Sequence, residues 1–304
     1  MIRNILVPVD FNDLSANAVG TALDMARALR AQVHLVYVAP SEAFESPQRP
    51  PLLDDVSSYL NAVQDAYPDV VADGVVTNGG PPASVLVQQA RDTRADLVVM
   101  ATHGRHGLQR WTMGSVTEAL MQQAPCPVLV VNARSGSPVP SHAGLKRILL
   151  PLDGSTCSQR ALELAGQVAR IVGAHVTLLH VIEPLPPSAG VVTPLGALGA
   201  ESDADGRRYL ASLHVDDVPV ETHLAVGNPV EIILQASQHA DLIVMATHGR
   251  SGLSRLLMGS TTAGVVRRST VPVMVLTRSS LAAPESKAQP TPRMTRVMKE
   301  VGPC

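Results

Sequence analysis

The strongest constraint on the fold is a twenty-residue stretch that the chain carries twice. Residues 96–115 read Asp-Leu-Val-Val-Met-Ala-Thr-His-Gly-Arg-His-Gly-Leu-Gln-Arg-Trp-Thr-Met-Gly-Ser, and residues 241–260 read Asp-Leu-Ile-Val-Met-Ala-Thr-His-Gly-Arg-Ser-Gly-Leu-Ser-Arg-Leu-Leu-Met-Gly-Ser. Fifteen of the twenty positions are identical. Each copy reads as a short buried strand (Leu97 to Met100, Leu242 to Met245), a glycine-bearing loop, and a small polar residue able to open a helix. A strand, a glycine loop and a helix N-terminus in that order can receive phosphate on backbone amides.

The repetition extends beyond this stretch. Ile148-Leu-Leu-Pro-Leu-Asp153 repeats Ile5 to Asp10, Val176 to Val181 repeats Val33 to Val38, and Gly227-Asn-Pro229 repeats Gly80-Pro-Pro82. A chain of 304 residues suits two domains of about 150 residues each, both large enough for a core of their own. We read a first domain over 1–133, an exposed linker over 134–145 (Arg-Ser-Gly-Ser-Pro-Val-Pro-Ser-His-Ala-Gly-Leu), a second domain over 146–278 and a disordered tail over 279–304.

Within the first copy, Ile2 to Val9 is a near-continuous apolar run, as in a central strand buried on both faces, ending in Pro8-Val9-Asp10. Ala16, Val19, Leu23, Ala26 and Leu29 recur at helical spacing behind several candidate N-caps. Strands over Val33 to Val38, Val70 to Thr77 and Val128 to Val131, with helices over about 53–66, 83–93 and 115–123, complete a unit of five strands and four helices. Residues 184–206, rich in Pro, Gly and Ala, read as a loop excursion.

Strands alternating with helices imply an α/β fold. The expectation is two repeated doubly wound domains, each a mostly parallel five-stranded sheet with flanking helices. In such sheets ligands sit beyond the carboxyl ends of the strands, where Pro8-Val9-Asp10 and Ala101 to Gly104 both fall. Val128 to Val131 and Val273 to Leu276 are short and apolar behind Pro127 and Pro272. They are expected to be sheet edges that pair with each other or across a dimer.

Composition removes several function classes. Twenty-four basic residues against 26 acidic ones, with 2% aromatics, leave neither the basic patch nor the stacking platforms that a nucleic-acid partner needs. The only lysines are Lys146, Lys287 and Lys299, none in a glycine loop, which excludes a Walker-type site. No apolar run reaches the roughly 18–20 residues of a membrane span, and no cleavable leader pattern opens the sequence, so a cytoplasmic protein without membrane contact is expected. Cys126, Cys157 and Cys304 have no metal or CxxC spacing and read as free thiols in a reducing compartment. There is no GxSxG elbow and no HExxH pair, so binding without designed turnover is expected.

With its repeats in register, the chain resembles the universal stress protein family, UspA-like, in its tandem two-domain form. The resemblance covers nearly all of 1–133 and 146–278. The family's nucleotide-binding pattern, G-x2-G-x9-G-[ST], becomes Ala101-x2-Gly104-x9-Gly114-Ser115 and Ala246-x2-Gly249-x9-Gly259-Ser260. Alanine replaces the first glycine in both copies, and if that position needs a left-handed backbone the cost is about 1–2 kcal/mol.

The resemblance implies an adenine nucleotide alpha hydrolase-like fold, ATP with Mg²⁺ as cofactor, and a stress-response role that involves a protein partner. It also implies a homodimer or intrachain pairing of the two domains. Pro8, Val9 and Val38, with Pro151, Leu152 and Val181, fall where the family lines its adenine pocket. Asp10 and Asp153 fall where it places an aspartate near the nucleotide and Mg²⁺. Gly104 and Gly249 would let backbone amides approach the phosphates, Arg105 and Arg250 would add charge, and Gly114-Ser115 and Gly259-Ser260 would offer amides and a hydroxyl at a helix N-terminus. His103 and His248 read as turn hydrogen-bonders, and Gly107 and Gly252 as flexible loop positions. The same residues also suit tight turns and strand-end packing. Three functions therefore stay open: ATP-dependent signalling, slow ATP hydrolysis or self-phosphorylation using Asp10 or Asp153, and a nucleotide-free interaction module whose site is vestigial because of Ala101 and Ala246.

Overall fold

Each apolar run becomes a strand and each amphipathic stretch a helix packed back across the sheet. The computed structural model describes residues 2–10, 13–39, 51–77, 80–102, 114–131, 145–184, 195–247, 258–277 and 279–280. The first half runs β1 (Asn4–Pro8), α1 (Asp13–Leu29), β2 (Gln32–Val38), α2 (Pro51–Ala66), β3 (Ala72–Thr77), α3 (Pro82–Asp92), β4 (Leu97–Ala101), α4 (Ser115–Gln123) and β5 (Val128–Val131). The second runs β6 (Arg147–Leu152), α5 (Thr156–Val172), β7 (His175–Ile182), α6 (Leu195–Ala211), β8 (Val220–Val226), α7 (Pro229–Ser237), β9 (Leu242–Ala246), α8 (Ser260–Arg268) and β10 (Val273–Leu276).

One expectation fails. Residues 195–211 form α6, although composition marked much of that stretch as loop. Tertiary packing overrides the low helix propensity of its glycines. Leu210 is buried in the core, and Gly206 lies so close to the sheet that a Cβ there would stand 2.7 Å from Leu224 Cδ1 and 3.2 Å from His180 Cδ2. Glycine at that position is a packing requirement. Most of the expected linker (132–144) and tail (281–304) lies outside the described residues.

The strands form one ten-stranded sheet in the order β3-β2-β1-β4-β5-β10-β9-β6-β7-β8. Every neighbouring pair is parallel except β5 and β10, which are antiparallel with Val130 opposite Val273, Leu129 opposite Met274 and Val128 opposite Val275. Leu129 and Met274 occupy the same place in the two copies, so an approximate twofold axis passes between them. Each strand is an edge of its own half, and pairing removes both edges from solvent. Just beyond β10, buried Thr277 donates from Oγ1 to the carbonyl of Ala124 at 2.7 Å, a second tie between the halves.

Side chains of successive strand residues point to opposite faces, so each strand feeds two apolar layers. Ile5, Val7, Leu97, Val99, Ile148 and Leu150 pack beneath α1, α2, α5 and α6. Leu6, Val98, Met100, Leu149 and Ile243 pack beneath α3, α4, α7 and α8. Ala18, Ala22 and Ala26 in α1, and Ala161, Ala165 and Ala169 in α5, are all buried and let these helices lie close on the sheet.

The N-terminal ends of β4 and β9 are fixed by aspartates. Asp96 Oδ2 accepts the amides of Arg3 (2.7 Å) and Asn4 (3.0 Å) at the start of β1. Asp241 Oδ2 accepts those of Lys146 (2.9 Å) and Arg147 (2.8 Å) at the start of β6. Registered pairing between β1 and β4 involves only Ile5 with Leu97 and Leu6 with Val98, and between β6 and β9 only Ile148 with Leu242 and Leu149 with Ile243. Both pairs of strands are thus clamped at their amino ends and unladdered toward their carboxyl ends.

Candidate nucleotide site

The strand order dictates where a ligand can enter. In each half the chain leaves the central strand in one direction and returns on its other side, so the connections after β1 and β4 go to opposite faces, into α1 and α4. The same holds for β6 and β9, which lead to α5 and α8. Such a switch point leaves a crevice beyond the carboxyl ends, where the ladder has already stopped.

The expected residues arrive at these two crevices. Pro8 closes β1; Val9 is buried and donates its amide to Val36 O at 3.0 Å, and Asp10 follows. Val38 closes β2 and Ala101 closes β4. In the second half Pro151 and Leu152 end β6, Asp153 follows, Val181 lies near the end of β7 and Ala246 closes β9. Gly104, Arg105, Gly249 and Arg250 lie outside the described residues, as do His103, His248, Gly107 and Gly252.

Helices α4 and α8 are tied to their strands by the same kinds of bond in both copies. Gly114 N donates to Thr102 O at 3.2 Å, and Thr117 Oγ1 reaches the carbonyls of Ala101 and Thr102, both at 3.3 Å. Gly259 N donates to Thr247 O at 2.8 Å, and Thr262 Oγ1 to Ala246 O at 2.8 Å. Each helix therefore starts beside the end of its strand, across the crevice from the central strand.

The N-caps of α4 and α8 are Gly114 and Gly259, and neither receives a side-chain cap. By contrast, Ser155 caps α5 and Asn228 caps α7 through their side chains. First-turn amides without a side-chain acceptor, at the positive end of a helix, favour an anion. Gly114 has φ −61 and ψ 143, a conformation open to any residue. Its glycine is explained by space, because a Cβ there would stand 3.3 Å from Thr102 O.

Ala101 and Ala246 are terminal strand residues, and the only non-glycine residues with positive φ among those described are Arg30, Arg94 and Asp217. The left-handed backbone penalty does not arise at either position. What alanine adds at the crevice is one methyl group.

Around the second crevice, Asp153 Oδ1 accepts from Ser155 N (3.0 Å) and Ser155 Oγ (2.7 Å), and Gly154 makes the turn at φ 80. Buried His180 lies 2.7 Å through Nδ1 from Leu152 O, so Nδ1 carries a proton and donates it, bracing the carbonyl just before Asp153. Sequence reasoning passed over His180, which stands where the first copy has Tyr37. It also passed over Thr117 and Thr262, although their recurrence as the third residue of each Gly-Ser-opened helix was a usable signal.

Among the described residues no group of three or more His, Cys, Asp or Glu side chains could hold a metal ion by itself. One carboxylate per crevice fits Mg²⁺ delivered on phosphate oxygens, since Mg²⁺ keeps water and takes one or two protein carboxylates. Because β5 and β10 are antiparallel, the two crevices open at opposite ends of the ten-stranded sheet and cannot share a ligand. No helix among the described residues is long and apolar enough to cross a membrane.

The cysteines differ in reactivity. Burial, with a smaller contribution from nearby Asp96, pushes the Cys126 thiol up to about 12, whereas Cys157 is half-buried. The thiolate is the nucleophile, so a thiol reagent at pH 8 is expected to leave Cys126 unmodified in the native chain and to reach it only in denaturant. Peptide mapping of the labelled protein checks this, and native labelling of Cys126 at the rate of Cys157 contradicts it.

Comparison with known proteins agrees with this architecture. The profile described as the universal stress protein family matches residues 1–132 and 144–277. A universal stress protein of Mycobacterium tuberculosis is 30% identical over 201 residues, covering 65% of this chain and 66% of that protein, just under two thirds of its length. One from Methanocaldococcus jannaschii is 34% identical over 140 residues, covering 43% of this chain and 82% of the relative. A universal stress protein structure from Archaeoglobus fulgidus superposes with a TM-score of 0.64 at 20% identity, covering 90% of this chain and 98% of that one.

Proposed function

Because this chain belongs to the universal stress protein family, we propose that each of its halves binds an adenine nucleotide, ATP with Mg²⁺, and that occupancy alters a surface read by a protein partner in a stress response. The observation that carries this reading is the uncapped helix N-terminus pinned against the switch-point crevice in both copies. The triphosphate would lie on the first-turn amides of α4 and α8, beside Ser115 and Ser260, with Gly104, Arg105, Gly249 and Arg250 in the preceding loops.

Adenine would pack against Pro8, Val9 and Val38 in the first half and Pro151, Leu152 and Val181 in the second. Asp10 and Asp153 would face the metal that accompanies the phosphates. The extended backbone at Ala101 and Ala246 removes the strain argument against binding. With one strand-end carboxylate per crevice among the described residues, retention of ATP rather than rapid turnover is the expected behaviour.

Mass spectrometry of small molecules released by denaturing the purified chain tests the proposal. ATP, ADP or AMP at about one to two equivalents per chain is the expected result. No released nucleotide, together with no binding of added ATP by equilibrium dialysis, sinks it in favour of a nucleotide-free interaction module. Steady ADP release that Asp10→Ala or Asp153→Ala abolishes would move the protein into the enzyme class.

A further inference from the structure

The ten-stranded sheet has two outer strands, β3 and β8, and they are not equivalent as surfaces. Pro219 O accepts Val176 N at 2.9 Å, and Gly227 N donates to Ile182 O at 3.0 Å. In a parallel ladder alternate residues face the neighbouring strand. Residues 219, 221, 223, 225 and 227 therefore spend their amides and carbonyls on β7, while Val220, Thr222, Leu224 and Val226 direct theirs away from the sheet. Most of β8 is exposed, including Val220 at 38% and Val226 at 61%.

Several features that normally guard an edge are missing among the described residues. β8 has no lysine, no proline and no bulge across its seven residues, and its one acidic side chain, Glu221, lies 3.0 Å through Oε1 from Nε2 of His223. Of the four exposed large hydrophobic residues among those described, Val220 and Val226 lie on β8 and Val71 directly precedes β3. The β3 edge is poorer. Val33 N bonds Val71 O and Ala39 N bonds Thr77 O, which leaves Ala72, Gly74 and Val76 facing outward, a set of low strand propensity.

We propose that β8 is a self-association edge, pairing antiparallel with β8 of a second copy about a twofold axis at His223. A twofold pairing that joins outward-facing residues can place its axis at Thr222, His223 or Leu224. Only the axis at His223 overlaps all seven residues. It sets Val220 against Val226 of the partner subunit and Thr222 against Leu224 of the partner subunit as hydrogen-bonded pairs, so the two exposed valines cover each other. Glu221 then meets Ala225 of the partner subunit, avoiding a like charge. The chain already joins one pair of strand ends in this way, at β5 and β10, and an antiparallel twofold contact closes instead of growing into a filament. One strand per copy is a small interface, so the dimer is of the weak class, with a dissociation constant on the order of 10 µM.

Sedimentation velocity on the full chain between about 1 and 300 µM, a span set by that affinity, is the test. The wild type is expected to pass from monomer to dimer, and Val220→Glu or Val226→Lys alone to weaken dimerisation about tenfold by unbalancing the edge. The double variant V220E/V226K is expected to recover it, because each introduced carboxylate then faces an introduced ammonium. Both positions are exposed, so the melting temperature should stay near wild type. A second measurement fixes the axis: His223→Cys is expected to give a disulfide-linked dimer on mild oxidation, since opposed residues of a non-hydrogen-bonded pair lie about 4.5 Å apart at Cα. A wild type that stays monomeric throughout, single variants that dimerise normally, or a double variant no better than the single ones would each overturn the proposal.

Discussion

Mg-ATP at about 1 mM, acting on a site of about 1 µM affinity, is expected to stabilise the native chain by about 4 kcal/mol, since a ligand that binds only the folded state contributes RT ln(1 + [L]/Kd). At about 2–4 °C per kcal/mol the melting temperature should rise by about 8–16 °C. The informative variants are Ser115→Asp and Ser260→Asp. Both serines are exposed first-turn residues of α4 and α8. A carboxylate there favours the helix by about 0.3–1 kcal/mol through its dipole, yet it occupies the position proposed for phosphate. The double variant should melt slightly higher than wild type without ligand and gain almost nothing from Mg-ATP. An unchanged shift in that variant would place the nucleotide elsewhere, and no shift in the wild type would remove it. This pair of opposite signs separates loss of binding from loss of folding better than substitution of Gly114, where any Cβ crowds Thr102 O.

The next largest effect belongs to residues far from ligand. Asp96→Ala deprives two backbone amides of a carboxylate acceptor at the β1–β4 junction, and Asp241→Ala does the same at β6–β9. Hydrogen bonds to charged groups contribute about 1.5–3 kcal/mol, but of these four only the bond from Asn4 N is part-buried and the other three are exposed. Each substitution should therefore cost about 1–2 kcal/mol in a urea melt. The two clamps share no partner, so the double variant should lose the sum to within about 0.5 kcal/mol. A cost below about 0.5 kcal/mol for either would mean that water replaces the carboxylate without loss. The sequence offered these aspartates only as the first residue of a duplicated stretch. The amides that donate to them lie some ninety residues away and become neighbours through the strand order alone.

Much of the fold was legible because its signals are local. Helix 115–123 and strand 128–131 lie where periodicity and Pro127 placed them. Helix α6 was not legible, because its glycines oppose a helix locally and the reason for Gly206, the approach of Leu224 and His180, lies on other elements. The candidate site divides the same way. The Gly-Ser helix starts and the strand-end Pro-x-Asp segments were visible as repeated motifs, whereas the tether from Thr117 and Thr262, the brace from His180 and the harmless backbone at Ala101 and Ala246 depend on three-dimensional placement.

By itself the sequence determined that this chain is one α/β unit written twice, with a strand, glycine loop and helix start recurring in each copy. Periodicity, punctuation by Gly and Pro, and repetition are properties of neighbours along the chain. Only the tertiary structure decided that β5 and β10 fuse the halves into one sheet, that their antiparallel pairing sends the two crevices to opposite ends, and that β8 is left as the exposed apolar edge. Strand order and pairing sense are set by which surfaces bury each other across the whole chain, and no local pattern encodes them.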